Sequence, residues 1–132
     1  NTSSDYRLKE NEVAISDGIT RLKTLKPYRF NFKADKDKTV DGFFAHEVTA
    51  VPEAISGEKD AMAVETTYTA DDVETQGDSP SKNVGDPKTY SSTVIDAQGI
   101  DQAKLVPLLT AALQEAVTKI EALEARVTTL EE

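Results

Sequence analysis

The sequence predicts an α+β protein in which a small globular part with short strands and helices is followed by a long C-terminal helix. From position 28 to 33, aromatic residues alternate with polar residues, a period of two that is typical of a half-buried strand. From position 113 to 130, apolar residues repeat at heptad spacing, which indicates a coiled-coil helix. We therefore divide the chain into a globular domain at residues 1–101 and an oligomerisation helix at residues 102–132.

The first half of the globular domain predicts a helix, a strand and a second, shorter helix. Ser16 or Asp17 is the expected N-cap of the first helix, and Pro27 ends it. Its apolar face consists of Ile15, Ile19, Leu22 and Leu25. After the strand, the polar run at residues 34–42 predicts a turn, and residues 43–51 predict a short helix that ends at Pro52.

The second half of the globular domain is less regular. Residues 63–68 and 93–95 predict two short strands. Between them, residues 69–88 are poor in apolar side chains and rich in Asp, Ser, Gly and Pro. This composition predicts a long exposed loop or a projecting arm.

The C-terminal segment has the most regular pattern. Pro107 fits the first turn of a helix, and an a/d seam follows it. Lys119 at a g position would face Glu124 at an e position of a parallel partner, and Arg126 and Glu131 repeat this pairing. A core helix that packs within its own chain is the alternative interpretation. The seam consists of Leu113, Ile120 and Val127 at a, and Ala116, Leu123 and Leu130 at d.

Composition excludes several classes of partner. The 132 residues include 24 acids and 15 bases, a net charge of −9, and a phosphate backbone would repel that surface. No apolar run approaches the ~18 residues of a membrane span. With no cysteine and one histidine, the chain offers little for a metal. We expect no nucleic-acid partner, no membrane, no metal and no cofactor.

Ser4 and Lys9 are the main candidates for chemistry. A serine becomes nucleophilic when a base takes its proton, and a neutral lysine can be that base. A free lysine has a pKa of about 10.4, so a catalytic one must be desolvated or lie near positive charge, which Arg7 could supply. Five residues separate the pair, so pairing requires a turn between them. The alternative is a solvated cap and a surface lysine.

Two weaker candidates are expected to be structural. His46 lies beside Glu47 in an apolar segment, where a lone histidine is more often packed or partly exposed than a ligand. The run beginning at Asp37 matches the first half of a calcium loop, but Val48 stands where the closing glutamate belongs. We interpret that acidic run as a solvated turn.

Three blocks of the sequence resemble the endosialidase-type intramolecular chaperone domain, found at the C-termini of phage tail spikes, tail fibres and neck appendages. The first is Ser4-Asp5 with Lys9, leading to LKTLKPYRFNF. The second runs from Gly42 to Pro52, with His46 where the family usually has glutamine. The third is KLVPLLTAALQEAVTKIEALEARVTTLEE. Residues 53–90 have no counterpart and look like an insertion.

The resemblance implies a self-cleaving serine peptidase with a Ser4–Lys9 dyad. The domain would drive folding and trimerisation of a fibre or spike protein joined to its N-terminus, and would then cut the Ser3–Ser4 bond. Asn1 to Ser3 would be a remnant of that client. The expected setting is the host cytoplasm during phage assembly, with the client going to the virion tail or neck. Non-catalytic trimerisation module and coiled-coil adaptor are the alternatives.

Overall fold

The computed structural model describes residues 3–76 and 81–132 and confirms an α+β chain with a long C-terminal helix. Residues 77–80 of the predicted loop, and Asn1 and Thr2 of the predicted remnant, lie outside the described residues. The helices are α1 (Gly18–Leu22), α2 (Ala70–Glu74) and α3 (Val106–Glu131). The strands are β1 (Tyr28–Asn31), β2 (Thr39–Gly42), β3 (Ile55–Ser56), β4 (Met62–Thr67), β5 (Pro87–Ile95) and β6 (Gly99–Ile100).

The chain divides into two compact units. The helix unit contains residues up to 43, 47–54 and 101–132, and the hairpin unit contains residues 44–46 and 55–100. The core of the helix unit is small, and all its buried side chains are apolar: Val48, Val51, Ala54, Leu105, Leu108 and Ala112. Burial of these side chains joins the 47–54 segment to the first turns of α3.

Helix α1 lies directly against α3. A Cβ added at Gly18 would sit 2.6 Å from the backbone nitrogen of Ala112, so only glycine permits this approach. The structure confirms Asp17 as the N-cap position, but the Asp17 side chain makes no capping hydrogen bond. Glu115 of α3 accepts one from the backbone nitrogen of Ile19 instead, at 3.1 Å. The cap of α1 is therefore supplied by another element.

Strands β1 and β2 form an antiparallel pair in which Phe30 lies opposite Val40. The prediction of a turn over residues 34–42 was wrong at its end, because residues 39–42 form β2. Thr39 and Val40 are β-branched and favour the extended backbone. The short helix predicted at 43–51 was also wrong. The structure has a 3-10 turn at Ala45–Glu47, and Pro52 begins the 3-10 turn Pro52–Ala54, since proline fits a first helical turn.

The hairpin unit is built on the antiparallel pair β4–β5, with several register shifts, and on the short pair β3–β6. The loop predicted at residues 69–88 contains helix α2, and β5 begins within it at Pro87. Thr69 and Asp72 form a capping box that starts α2. Lys88 then bonds the Asp72 carboxylate at 2.8 Å, which ties α2 to β5. These polar contacts hold residues 69–74 and the start of β5 in place, although the composition of residues 69–88 predicted a loop.

The structure confirms that residues 113–130 are helical, and their pairing in a coiled coil stays a prediction. A 3-10 turn at Gln102–Leu105 leads into α3, and Pro107 lies in its first turn. In the described part of the chain, no helix combines the length and the apolar character that crossing a membrane requires.

Candidate functional site

A tight turn joins Ser4 to Lys9. Asp5 is the N-cap of the 3-10 helix Tyr6–Leu8, and its side chain accepts a hydrogen bond from the backbone nitrogen of Arg7 at 2.9 Å. The backbone nitrogens of Leu8 and Lys9 donate to the carbonyls of Asp5 and Tyr6, both at 3.1 Å. This single turn reverses the chain within five residues. It is the kind of connection that pairing of Ser4 with Lys9 requires.

The turn brings the two predicted dyad side chains together. Lys9 Nζ donates a hydrogen bond to Ser4 Oγ over 2.7 Å. Proton transfer from serine to lysine needs the same contact with the direction reversed. The hydroxyl must donate to a neutral amine. Both side chains are exposed in the single chain. The catalytic role of the pair stays a prediction.

Arg7 does not act as a free positive charge beside Lys9. Its guanidinium grips both carboxylate oxygens of Asp5, at 3.0 and 2.7 Å. The side-chain hydrogen bond from Arg7, supported by the one from its backbone, lowers the pKa of Asp5. The same bond raises the pKa of Arg7. The Asp5–Arg7 pair therefore shapes the turn.

His46 and the acidic run carry no sign of a metal site. His46 is exposed, and its ring stacks on Phe44 with centroids 6.3 Å apart. Asp41 of the acidic run pairs with Arg29 at 2.9 Å. Within residues 3–76 and 81–132, no group of three or more His, Cys, Asp or Glu side chains is placed to hold a metal ion.

The a/d seam is open to solvent along α3. Its Leu, Ile and Val side chains are between 51% and 83% exposed, and Ala116 is half-buried. The side of α3 that packs within the chain carries Leu108 and Ala112, which are not seam positions. Packing of α3 within its own chain therefore leaves the seam free. The exposed members are Leu113, Ile120, Leu123, Val127 and Leu130.

One charged residue beside the seam, Lys119, pairs with an acid of its own helix. Lys119, predicted to face Glu124 of a partner, lies 3.7 Å from Glu115 on its own helix. The Glu115 carboxylate therefore contacts both Lys119 of α3 and the backbone nitrogen of Ile19 in α1. Sequence analysis missed Glu115. No local pattern pointed to Glu115, because its role as a cap depends on the packing of α3 against α1.

Glu47 is a second residue that the sequence analysis did not single out as a site. Its Oε2 accepts a hydrogen bond from the Tyr28 hydroxyl at 3.3 Å and lies 3.3 Å from Lys26 Nζ. Its Oε1 is buried and has no hydrogen-bond partner among the described residues. The sequence signal was an acid inside the apolar run FFAHEV. Glu47 anchors the start of β1 to the 3-10 turn at residues 45–47.

The described part of the chain thus combines a long helix with an exposed heptad seam and, near the N-terminus, a turn that brings Ser4 to Lys9. Residues 4–56 match the model of a peptidase family described as chaperone of endosialidase. This match confirms the first two blocks of the resemblance, over that part of the chain. The third block, in the C-terminal helix, lies outside the matched residues. No curated protein matches the chain significantly.

Proposed function

We propose that the chain is an intramolecular chaperone that assembles a fibre or spike protein joined to its N-terminus and then cuts itself free before Ser4. The observation that carries the proposal is the 2.7 Å contact between Lys9 Nζ and Ser4 Oγ, located at the first residue of the family match. Support for the assembly role comes from the exposed seam of α3. The chaperone family to which residues 4–56 are similar supports both roles.

The proposed cut begins with attack of Ser4 Oγ on the carbonyl carbon of Ser3. Lys9 takes the Oγ proton and passes it to the Ser4 nitrogen as the carbon–nitrogen bond breaks. The product is an ester between the Ser3 carbonyl and Ser4 Oγ, with a free amine on Ser4. Water then opens the ester, which gives a carboxyl group on Ser3 and restores the Ser4 hydroxyl. Each chain performs this reaction once and needs no cofactor.

Assembly would precede the cut. A domain that trimerises by itself raises the local concentration of the attached client chains, which lowers the entropic barrier to pairing them in register. Cleavage then removes the element that could promote disassembly, so the client is trapped kinetically. The proposed setting is the host cytoplasm during phage assembly, with the client carried into the virion.

The test is a fusion of the chain to an upstream client segment large enough to give a visible shift on a denaturing gel. We expect two bands in place of one, and a new N-terminus at Ser4 by sequencing. The Ser4→Ala fusion should stay intact, and the Ser3→Ala fusion, one residue away, should still be cut. A fusion that stays whole, or one cut at another bond, contradicts the proposed peptidase.

A non-catalytic trimerisation module is the second candidate. The observation that favours it is the exposure of both Ser4 and Lys9, with Lys9 as the donor. An intact wild-type fusion that nevertheless forms a stable trimer would support this candidate. A monomeric fusion that recruits a different coiled-coil protein would indicate an adaptor instead.

A further inference from the structure

Charge is distributed unevenly along the chain. Residues 21–38 contain seven of the 15 bases and only two acids, Asp35 and Asp37. Residues 55–100, which form most of the hairpin unit, contain nine acids and three bases. A positively charged segment of the helix unit and a negatively charged hairpin unit are thus present in one chain. Opposite charges on two surfaces steer those surfaces together and set their register.

The lysines of the turn between β1 and β2 are not paired within the chain. Lys33, Lys36 and Lys38 are exposed, and within residues 3–76 and 81–132 none of the three forms an ion pair. Asp35 and Asp37, which alternate with these lysines, form none either. The turn therefore presents its lysine ammonium groups to water.

Phe32 adds an apolar side chain to this turn. The backbone nitrogen of Asp35 donates to the Phe32 carbonyl at 3.0 Å, so the turn begins at Phe32. The Phe32 side chain is 63% exposed, and its ring meets Phe30 edge to face with centroids 5.3 Å apart. An exposed aromatic ring flanked by lysines is suited to an interface, where aromatic side chains are enriched. We call residues 32–38 the anchor turn.

The hairpin unit contains a groove of the opposite charge. This hairpin groove has a volume of about 360 Å³ and lies between residues 58–62 and residues 95–98. Its apolar lining includes Met62 and Ile95, which are opposite each other in the β4–β5 pair. Ile95 is 72% exposed. Three acids also line the groove: Glu58, Asp60 and Asp96. An apolar groove with acids along it is complementary to an aromatic ring flanked by lysines.

We propose that the anchor turn of one chain binds in the hairpin groove of a second copy, with Phe32 against Met62 and Ile95 and the turn lysines opposite the groove acids. The inference rests on the self-association in the proposed function and names a second surface for it, separate from the seam. Each chain carries both the anchor turn and the groove. The contact therefore repeats from one subunit to the next and closes with the symmetry of the oligomer.

Crosslinking tests where the anchor turn lies. The chain has no cysteine, so Lys36→Cys with Glu58→Cys places one thiol on each surface. A short bismaleimide should then join chains of the oligomer to one another on a denaturing gel. Lys36→Cys with Asp71→Cys, an exposed acid of α2, is the matched control. Crosslinks that close within one chain, or no more joined chains than in the control, overturn the inference.

Charge reversal tests whether the contact is ionic. Lys33→Glu with Lys36→Glu gives the two surfaces the same sign, and so does Glu58→Lys with Asp96→Lys. We expect each pair to raise the dissociation constant of the oligomer at low salt by at least about tenfold, because like charges repel across an interface. All four substitutions together should restore the wild-type value, as measured by sedimentation. Absence of that rescue overturns the inference.

A control separates the contact from net charge. Lys23→Glu with Lys82→Glu changes the charge of the chain by the same amount outside the anchor turn and the groove, and should leave the dissociation constant unchanged. The two proposals fail separately. A wild-type chain that is monomeric contradicts the self-association itself, whereas an oligomer that tolerates both charge reversals contradicts only this contact.

Discussion

Ser4 and Lys9 are brought into contact by a 3-10 turn that Asp5 stabilises. The Asp5 carboxylate accepts hydrogen bonds from both the backbone nitrogen and the guanidinium of Arg7. Local hydrogen bonds in this turn thus place Lys9 Nζ 2.7 Å from Ser4 Oγ. The single chain does not shield the pair from water, because both side chains are exposed. The turn therefore accounts for the position of the two side chains and leaves their chemistry a prediction.

The first prediction concerns the dyad itself. Ser4→Ala should abolish cleavage of a client fusion, because the nucleophilic oxygen is gone. Lys9→Ala should do so nearly as completely, and Lys9→Arg should also fail, because arginine keeps its proton at any usable pH. Gel analysis over time gives the rate. All three variants should fold and assemble the client, since neither residue belongs to the core, and a Lys9→Arg fusion that cuts normally would contradict the assigned base.

The second prediction concerns Asp72 in the hairpin unit. The side-chain hydrogen bond from Lys88, with those from Thr69, lowers the pKa of Asp72 from 3.8 to about 2. A lowered carboxyl pKa means that the folded unit holds this proton less tightly than the unfolded chain. The contribution of Asp72 is therefore complete above pH 3.8 and is lost as the pH falls toward about 2.

Amide exchange of α2, followed by NMR between pH 5 and pH 2, measures this loss. Protection should fall across the lower part of that range, and Asp72→Asn should reduce protection at pH 5 and weaken the pH dependence. Asp71→Asn, at the neighbouring position of the same helix, is the control. Equal behaviour of the two variants would contradict the role of the capping box.

At the scale of elements, the pairing of α1 with α3 depends on one glycine. Gly18→Ala would place a Cβ 2.6 Å from a backbone nitrogen of α3, and neither backbone can move without disturbing the core. We expect a loss of about 1–3 kcal/mol in the free energy of unfolding, measured by denaturant titration. Gly99→Ala is the matched control, because its Cβ would meet only the Ser56 hydroxyl, which can rotate away. A smaller loss for Gly18 than for Gly99 would show that α1 is not held against α3.

The hairpin unit offers a separable element. Replacing residues 69–88, which include the first two residues of β5, by a short turn should leave oligomerisation intact, because the seam lies on α3. Sedimentation of the shortened chain tests this. If the oligomer persists while client folding is lost, the segment acts as an arm on the client. If the oligomer dissociates, the segment contributes to self-association.

At the scale of the whole molecule, we predict a parallel trimer. Two arguments disagree: Ile and Val at a with Leu at d favours dimers, whereas the resemblance implies three chains. The heptads are few, so the helix unit can set the number. Sedimentation equilibrium should give three times the monomer mass, and twice that mass would contradict the prediction.

Assembly should control cleavage. A fusion carrying Ile120→Asp and Leu123→Asp places charges in the seam and should be monomeric. We expect such a fusion to fold but to cut far more slowly than the wild type. Thr118→Asp with Ala125→Asp adds the same two charges at f positions, on the side of α3 away from the seam, and should leave both mass and cleavage unchanged. A monomer that cuts at the normal rate would contradict assembly control while leaving the Ser–Lys chemistry possible.

The sequence by itself determined the elements that follow from local chemistry. Heptad spacing from Leu113 to Leu130 predicted the long helix, and alternation around Phe30 predicted β1, because such periodicities have few other causes. Residue type made Ser4 and Lys9 candidates, and the family resemblance implied that they form a dyad. The structure alone decided that one 3-10 turn connects the pair and that Arg7 is held by Asp5. It also decided that Glu115 caps α1 and that α2 interrupts the predicted loop. These contacts join residues that are distant in sequence or depend on side-chain geometry. A local sequence pattern predicts neither kind of contact.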